Sequence, residues 1–310
     1  MNAVTFLILY AVALSWLAPA VLTGPGGAAR HPRLVVTGWL VAVGTALAAW
    51  AGAVVILVVG AIHAVATRSA LTFCVETLGL TPVVHLPPSV ATVMVVALLV
   101  ATTAVALHTV RRLAASLVGT RRRNRDHADA VRIIGRGTDD RGVVVIGADK
   151  PAAYCVCGGG SRAIVVTTAA LRLLDAAGLD AVLAHERAHM RGRHHHIIAT
   201  LNALSAALPR LPLMRAAARQ IPALLEMCAD DTAARRHGRE PLLRSLFLLS
   251  TGRPLPQGAL AAAGTAVLDR MLRLAQPPAA SRWRSREVAA ACAIATIGLA
   301  PALALAFCTY

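Results

Sequence analysis

The sequence predicts a mainly α-helical integral membrane protein, in which about four transmembrane helices carry a cytoplasmic α+β domain inserted between the third and the fourth. Three observations predict it. Of 310 residues, 57% are hydrophobic and only 15% charged, at a mean hydropathy of +0.64, which is too apolar for an ordinary soluble chain of this length. Four segments, Ala3 to Leu22, Leu34 to Val65, Val90 to Val110 and Val288 to Phe307, are long and apolar enough to cross a hydrocarbon core of about 30 Å. Between the third and fourth, the apolar runs shorten, alternate and are broken by Gly and Asp.

The first segment carries Ala18-Pro19-Ala20, which mimics a signal-peptide cleavage site. No Arg or Lys precedes it, however, and cleavage after export would leave Arg30 and Arg33 outside, so it reads as an anchor. The second segment exceeds one span and is expected to tilt or extend beyond the bilayer. Arg111, Arg112, Arg121, Arg122, Arg123 and Arg125 follow the third, and Arg282, Arg284 and Arg286 precede the fourth. Arg68 is nearly alone in the 66–89 loop, balanced by Glu76. The positive-inside rule then places both termini outside a plasma membrane and 111–286 in the cytoplasm. The expected domains are 1–110 (membrane region), 111–286 (cytoplasmic domain) and 287–310 (last span and a short outer tail). Ile197 to Met214 is also apolar, but Pro209, Arg210 and Pro212 interrupt it, and a crossing there would put Arg282 to Arg286 outside. It is expected to be buried or to graze the membrane.

A net charge of +16 and a pI near 11.3 invite a nucleic-acid reading. The arginines instead flank apolar segments, and aromatics, at 4%, are too few to stack bases, so direct nucleic-acid binding is not expected. Lys150 is the only lysine, which with the alanine richness suggests the codon bias of a GC-rich bacterial genome. Six cysteines show no C-x-x-C pair, and Cys155-Val156-Cys157 reads as strand packing.

Within 111–286, Val143 to Ile146, Ala153 to Cys157 and Ala163 to Val166 predict a small antiparallel sheet, punctuated by Asp149-Lys150-Pro151 and Gly158-Gly159-Gly160-Ser161. The glycine triplet lacks a phosphate-loop context and reads as a hairpin. Thr167 or Thr168 can cap a helix through about Ala177, ended by Gly178, and Asp180 can cap the next. That second helix carries Leu183-Ala184-His185-Glu186-Arg187-Ala188-His189-Met190-Arg191-Gly192-Arg193-His194-His195-His196. Residues four apart share a helix face, so His185 and His189 can offer two imidazole nitrogens to one Zn²⁺. Glu186 then points near the metal without ligating it, as a general base would.

Two residues compete to be the third ligand. His195 would complete H-E-x-x-H-x-x-G-x-x-H, which needs a left-handed turn at Gly192 and a Met-turn downstream. Neither Met214 nor Met227 stands in such a turn, and Ile197-Ile198-Ala199-Thr200-Leu201 suits a helix continuing through Gly192. Glu226 lies on a second helix, started by Pro222 and stopped by Gly238, where Asp230 shares its face. A carboxylate there completes a His₂Glu site, and Asp230 could orient a ligand imidazole, whereas Asp231 reads as solvated. Glu226 is the expected ligand.

With these residues in place the chain resembles the integral-membrane zinc metallopeptidases of the BlaR/MecR antirepressor type, related to the membrane prenyl-protein and heat-shock peptidases. The resemblance rests on Ala153-Tyr154, Ala163 to Thr167, Leu179 to His189, Glu226 with Asp230, and Val267-Leu268-Asp269-Arg270-Met271-Leu272-Arg273-Leu274. It implies a zincin-like (gluzincin-type) peptidase domain with His185, His189 and Glu226 as zinc ligands, Glu186 as base and Asp230 as supporting acid. It further implies an edge strand near Ala153 to Gly158 that holds an extended substrate. The sequence stops at Tyr310 without the penicillin-binding sensor domain of those receptors, so a signal is expected through the membrane helices, the 66–89 loop or a partner.

The expected function is membrane-embedded, zinc-dependent endoproteolysis of a cytoplasmic or membrane-proximal protein, of which a transcriptional repressor or the protease itself is the type the resemblance implies. Arg236 and His237 are candidates for oxyanion support. The alternative is a catalytically silent membrane sensor or scaffold that keeps a structural zinc site, against which an intact Glu186 argues.

Overall fold

The computed structural model describes residues 2–23, 31–70, 73, 87–140, 142–158, 161–251, 260–276 and 292–300. Three helices open the chain: α1 (Ala3–Leu22), α2 (Pro32–Ala66) and α3 (Pro88–Ile134). The side chain of Asn2 caps α1 by accepting from the backbone N–H of Thr5 at 2.9 Å, and Pro32 and Pro88 stand at the first positions of α2 and α3, where a missing N–H costs nothing. All three are long and apolar enough to cross a membrane. Small residues let α1 and α2 approach closely, Ala11 meeting Ala49 and Ala53, while Ala61 and Ala64 of α2 meet Ala91 and Val95 of α3.

The third helix differs from its expected extent. It passes Val110 without a break, runs through the whole arginine cluster and ends only at Gly135. Arginine is a good helix former, and no proline interrupts the run, so span and domain share one helix of roughly 70 Å. Of the expected fourth span, 288–307, only 292–300 is described. That part is helical and lies beside α1 and α2, with the Tyr10 hydroxyl donating to the carbonyl of Ile297 at 2.6 Å.

A four-stranded sheet follows: β1 (Arg136–Gly137), β2 (Val143–Ile146), β3 (Ala153–Gly158) and β4 (Ser161–Thr167), in the order β1-β2-β4-β3. The sheet is mixed, not antiparallel throughout: β3 and β4 form the expected hairpin, but β2 pairs with β4 in parallel. Its two faces alternate as strand periodicity demands. Ile164 and Val166 pack with Leu183 beneath, and Val165 and Val156 pack with Ala128 and Val131 of α3 above. Strand β3 is left at an edge.

Helices complete the domain: α4 (Thr168–Leu173), α5 (Ala176–Arg191), α6 (His194–Ala207), α7 (Pro212–His237), α8 (Arg239–Thr251) and α9 (Leu260–Ala275). Thr167 caps α4 as expected, but the cap of α5 is Asp175 rather than Asp180, and Gly178 lies inside α5. The reason is packing. A Cβ at Gly178 would come within 2.6 Å of Ser245 Oγ, so this glycine lets α8 close on α5 rather than ending a helix. Likewise Pro212, not Pro222, starts α7, while Gly238 at φ +87° ends it as expected.

Between α6 and α7 the chain turns at Leu208 to Leu211. Helix α6, with 14 residues, spans roughly 21 Å, short of the ~30 Å core, and it packs back on its neighbours. Leu201, Leu204, Met214, Ile221 and Leu224 form one buried cluster with Trp39, Ala42 and Val43 of α2, so α7 is seated directly on one of the helices able to cross a membrane.

Candidate metal centre

Helices α5 and α7 bring three side chains to one point. His185 Nε2 lies 3.1 Å from His189 Nε2, and Glu226 approaches these nitrogens at 3.4 Å through Oε2 and Oε1 respectively. A tetrahedral ion with bonds of roughly 2.0–2.1 Å needs ligand atoms about 3.3 Å apart. The two imidazole nitrogens stand near that spacing and each has a different Glu226 oxygen at 3.4 Å, so with one atom from each residue, all within 4.8 Å of one another, the three could hold a zinc ion. His195 is not among them: helix α5 ends at Gly192, and Arg193 at φ 50° redirects the chain so that the neighbouring His194 folds back instead. The expected helix through Gly192 does not form, and the left-handed residue is Arg193 rather than the glycine.

The outer nitrogens of both imidazoles face buried side chains. His185 Nδ1 sits 3.0 Å from Asp230 Oδ1, in a bent approach without good hydrogen-bond alignment, and His189 Nδ1 lies 2.9 Å from His194 Nδ1. Asp230 is 1% exposed and is gripped by Arg270 of α9, whose Nε and Nη2 donate to its two oxygens at 2.7 and 2.8 Å. The Nη1 of Arg270 reaches Glu226 Oε2 at 2.9 Å, so one guanidinium ties both acids of α7.

Burial and charge oppose each other here. Burial alone raises a carboxyl, but contact with His185 and the charge of Arg270 bring Glu226 down to about 2, and hydrogen bonds from Arg270 and His185 bring Asp230 down to about 2. Burial depresses His185, yet its bonds to Asp230 and Glu226 outweigh this and raise it to about 9. His189 faces neutral His194 instead of a second acid, and burial takes it down to about 4. Glu186, 9% exposed beside the three ligand atoms, is pushed up to about 7 by burial.

A cleft of about 780 Å³ opens in front of this centre. Its walls are Ala153, Tyr154 and Cys155 of edge strand β3 on one side, and Leu246 and Phe247 of α8 with Leu268 of α9 on the other. The outer edge of β3 is thus beside His185, Glu186 and His189.

Some side chains here carry no signal in the sequence, and nothing local marks Arg270 as the partner of Asp230. His194 was passed over in favour of its neighbour, and Cys155, read as packing, lines the cleft with its thiol beside Glu186 and is pushed up to about 12, mainly by burial. Arg236 and His237, the oxyanion candidates, are exposed at the far end of α7 and do not line the cleft. Asp231, read as solvated, pairs with Arg273 at 2.8 Å.

Residues 119–234 match the model of a family described as peptidase family M48, which supports a zinc metallopeptidase. No curated protein and no solved structure matches the chain. The matched span runs from the second half of α3 through most of α7, so it holds the sheet, the His185-Glu186-His189 helix, Glu226 and Asp230, and stops before Arg270.

Proposed function

We propose that this chain is a membrane-embedded zinc endopeptidase, with His185, His189 and Glu226 as metal ligands, Glu186 as general base and Asp230 as supporting acid. The observation that carries the reading is the convergence of His185, His189 and Glu226, with one ligand atom from each within 4.8 Å of the others, on a cleft that Glu186 also lines. Zinc bound there supplies a Lewis acid that polarises a peptide carbonyl and eases the ionisation of water. Glu186 takes the proton of the attacking water and returns it to the leaving amine, from a buried position that lines the cleft. Asp230 orients His185, and Arg270 fixes both carboxylates of α7. The free edge of β3 pairs with the backbone of an extended substrate, whose side chains enter among Leu246, Phe247 and Leu268.

The arginine distribution supports an orientation with residues 111–286 in the cytoplasm and both termini outside, with 288–307 as a fourth span. The resemblance to BlaR/MecR-type antirepressors supports a protein substrate at or near the inner membrane face, either a transcriptional repressor or the protease itself.

Zinc content and cleavage in isolated membranes test the reading together. The wild type should carry one zinc and cut, and Glu186→Ala should keep the zinc and lose cleavage. Undiminished cleavage by Glu186→Ala sinks the assignment, and a protein that holds zinc but cuts nothing in cellular proteomes is the silent scaffold instead. Reporter fusions within and after residues 111–286 test the orientation.

A further inference from the structure

A second cavity, of about 460 Å³, lies between the first turn of α2, the end of α5, the start of α6 and the middle of α7. Arg33, Arg191 and His194 line it together with apolar Val36, Ile197 and Leu225, and among the described residues no acidic one does. Arg33 donates through Nη2 to the Thr232 hydroxyl at 3.0 Å, and among the described residues neither Arg33 nor Arg191 pairs with a carboxylate. The nearby Asp231 is already engaged by Arg273 at 2.8 Å. Two guanidiniums without a counter-charge around one cavity are a vacancy for an anion.

The third polar group sharpens this. His194 is only 8% exposed, and its Nδ1 faces His189 Nδ1 at 2.9 Å. If His189 presents the lone pair of Nε2 to a metal, as the proposed function holds, its Nδ1 carries the proton and donates it. His194 must then accept at Nδ1 and keep its own proton on Nε2. That nitrogen stands over Gly192, where a Cβ would collide with it, and has no partner among the described residues. The cavity therefore presents an imidazole N–H beside two guanidiniums. This tautomer rests on the ligand assignment; the two arginines do not.

We propose that this cavity binds the phosphate of an anionic phospholipid, held by Arg33, Arg191 and the Nε2–H of His194, with the adjoining hydrocarbon along Val36, Ile197 and Leu225. A lipid is favoured over a free ion by position. Arg33 is the second residue of α2, immediately before its apolar run begins at Leu34, so a bilayer crossed by α2 would bring its phosphates to the level of the cavity. The bland reading makes both arginines solvated topology signals, with no more lipid preference than Arg121 or Arg122 of α3.

The full chain is reconstituted in nanodiscs of phosphatidylcholine with a minor fraction of phosphatidylglycerol, and lipids retained on gradual stripping are counted by native mass spectrometry, with and without zinc. The wild type should keep one phosphatidylglycerol in both states. Arg33→Gln/Arg191→Gln should weaken retention by about tenfold or more, and Arg121→Gln/Arg122→Gln should not. If the double variant fails to assemble, Arg191→Gln alone, at an exposed side chain, should still lose several-fold. Equal losses in both double variants, no preference for phosphatidylglycerol over phosphatidylcholine, or displacement of the lipid by inorganic phosphate would each overturn the proposal, the last by assigning the cavity to a free anion. Because the readout needs neither zinc nor cleavage, it can fail while the peptidase assignment stands, and the reverse.

Discussion

His194 Nδ1 lies 2.9 Å from His189 Nδ1, so two imidazoles meet nitrogen to nitrogen at a distance where one can donate to the other. The contact fixes which nitrogen of His189 remains free for a metal. His194→Ala should therefore weaken zinc binding by about 10- to 100-fold, the usual cost of losing such support. His194→Asn, whose amide oxygen can accept the same proton, should recover part of it. Gly192→Ala should reproduce the loss, because its Cβ would displace the ring of His194. Chelator competition reads the affinity, and a kcat loss that excess zinc reverses distinguishes metal retention from misfolding.

Arg270 is the counter-charge of Asp230 and Glu226 together, and it is 11% exposed. Arg270→Ala leaves the buried Asp230 carboxylate without its counter-charge, and breaking a buried pair in this way costs about 3–5 kcal/mol, while the partly exposed Glu226 adds less. Arg270→Lys keeps the charge but loses the two-pronged grip on Asp230, so it should be intermediate. Denaturant midpoints of the zinc-free proteins read the difference. Equal stability of all three would show that α9 does not close over the centre.

Metal removal should uncover a pH dependence. In the zinc-free protein His185 is raised to about 9, so its share of stability is complete below about 6.5 and is lost as pH climbs through 9. Glu226 and Asp230, lowered to about 2, contribute above about 4 and lose their share as pH falls towards 2. Zinc requires neutral His185 and takes the place of its proton, so its apparent affinity should rise between pH 6.5 and 9 with proton release. Thermal midpoints with and without chelator should be closest at and below pH 6.5 and diverge upward. Glu226→Ala should show little chelator effect at any pH.

How much of this was legible depends on the distance over which each feature is decided. His185 and His189 can be read because helical geometry fixes their relation within four residues, and Glu226 with Asp230 for the same reason. Strand β2 was found to its ends, since β-branched runs between turn residues admit few alternatives. Its parallel pairing with β4 was not, because register is chosen by the core on both faces of the sheet. Arg270 is 40 residues from Asp230 on another helix, and only tertiary packing distinguishes it from the other arginines. His194 was hidden by the turn at Gly192 and Arg193: a helix continued through that point would place it elsewhere. The merging of the third span with the domain in α3 was equally invisible, since helix propensity does not change where the membrane ends.

Cys155 provides a reporter of the cleft that is independent of catalysis. Its thiol is pushed up to about 12 by burial first, then by the charge of Glu186 and by Cys157. At pH 8 an ordinary thiol is roughly a tenth or more thiolate, while one near 12 is about a ten-thousandth. The higher intrinsic reactivity of a more basic thiolate returns part of this deficit. Iodoacetamide should therefore modify Cys155 of the zinc-free protein roughly 30- to 100-fold more slowly than a cysteine peptide at pH 8. Its rate should keep rising with pH beyond 9, where the peptide has levelled off. Glu186→Gln removes a negative charge that opposes the thiolate, so it should lower the thiol's pKa and speed labelling at pH 8. Peptide mapping separates Cys155 from Cys157. A rate that levels near pH 9 and ignores Glu186→Gln would mean that the thiol faces open water, and strand β3 would then not stand where a substrate backbone must pair.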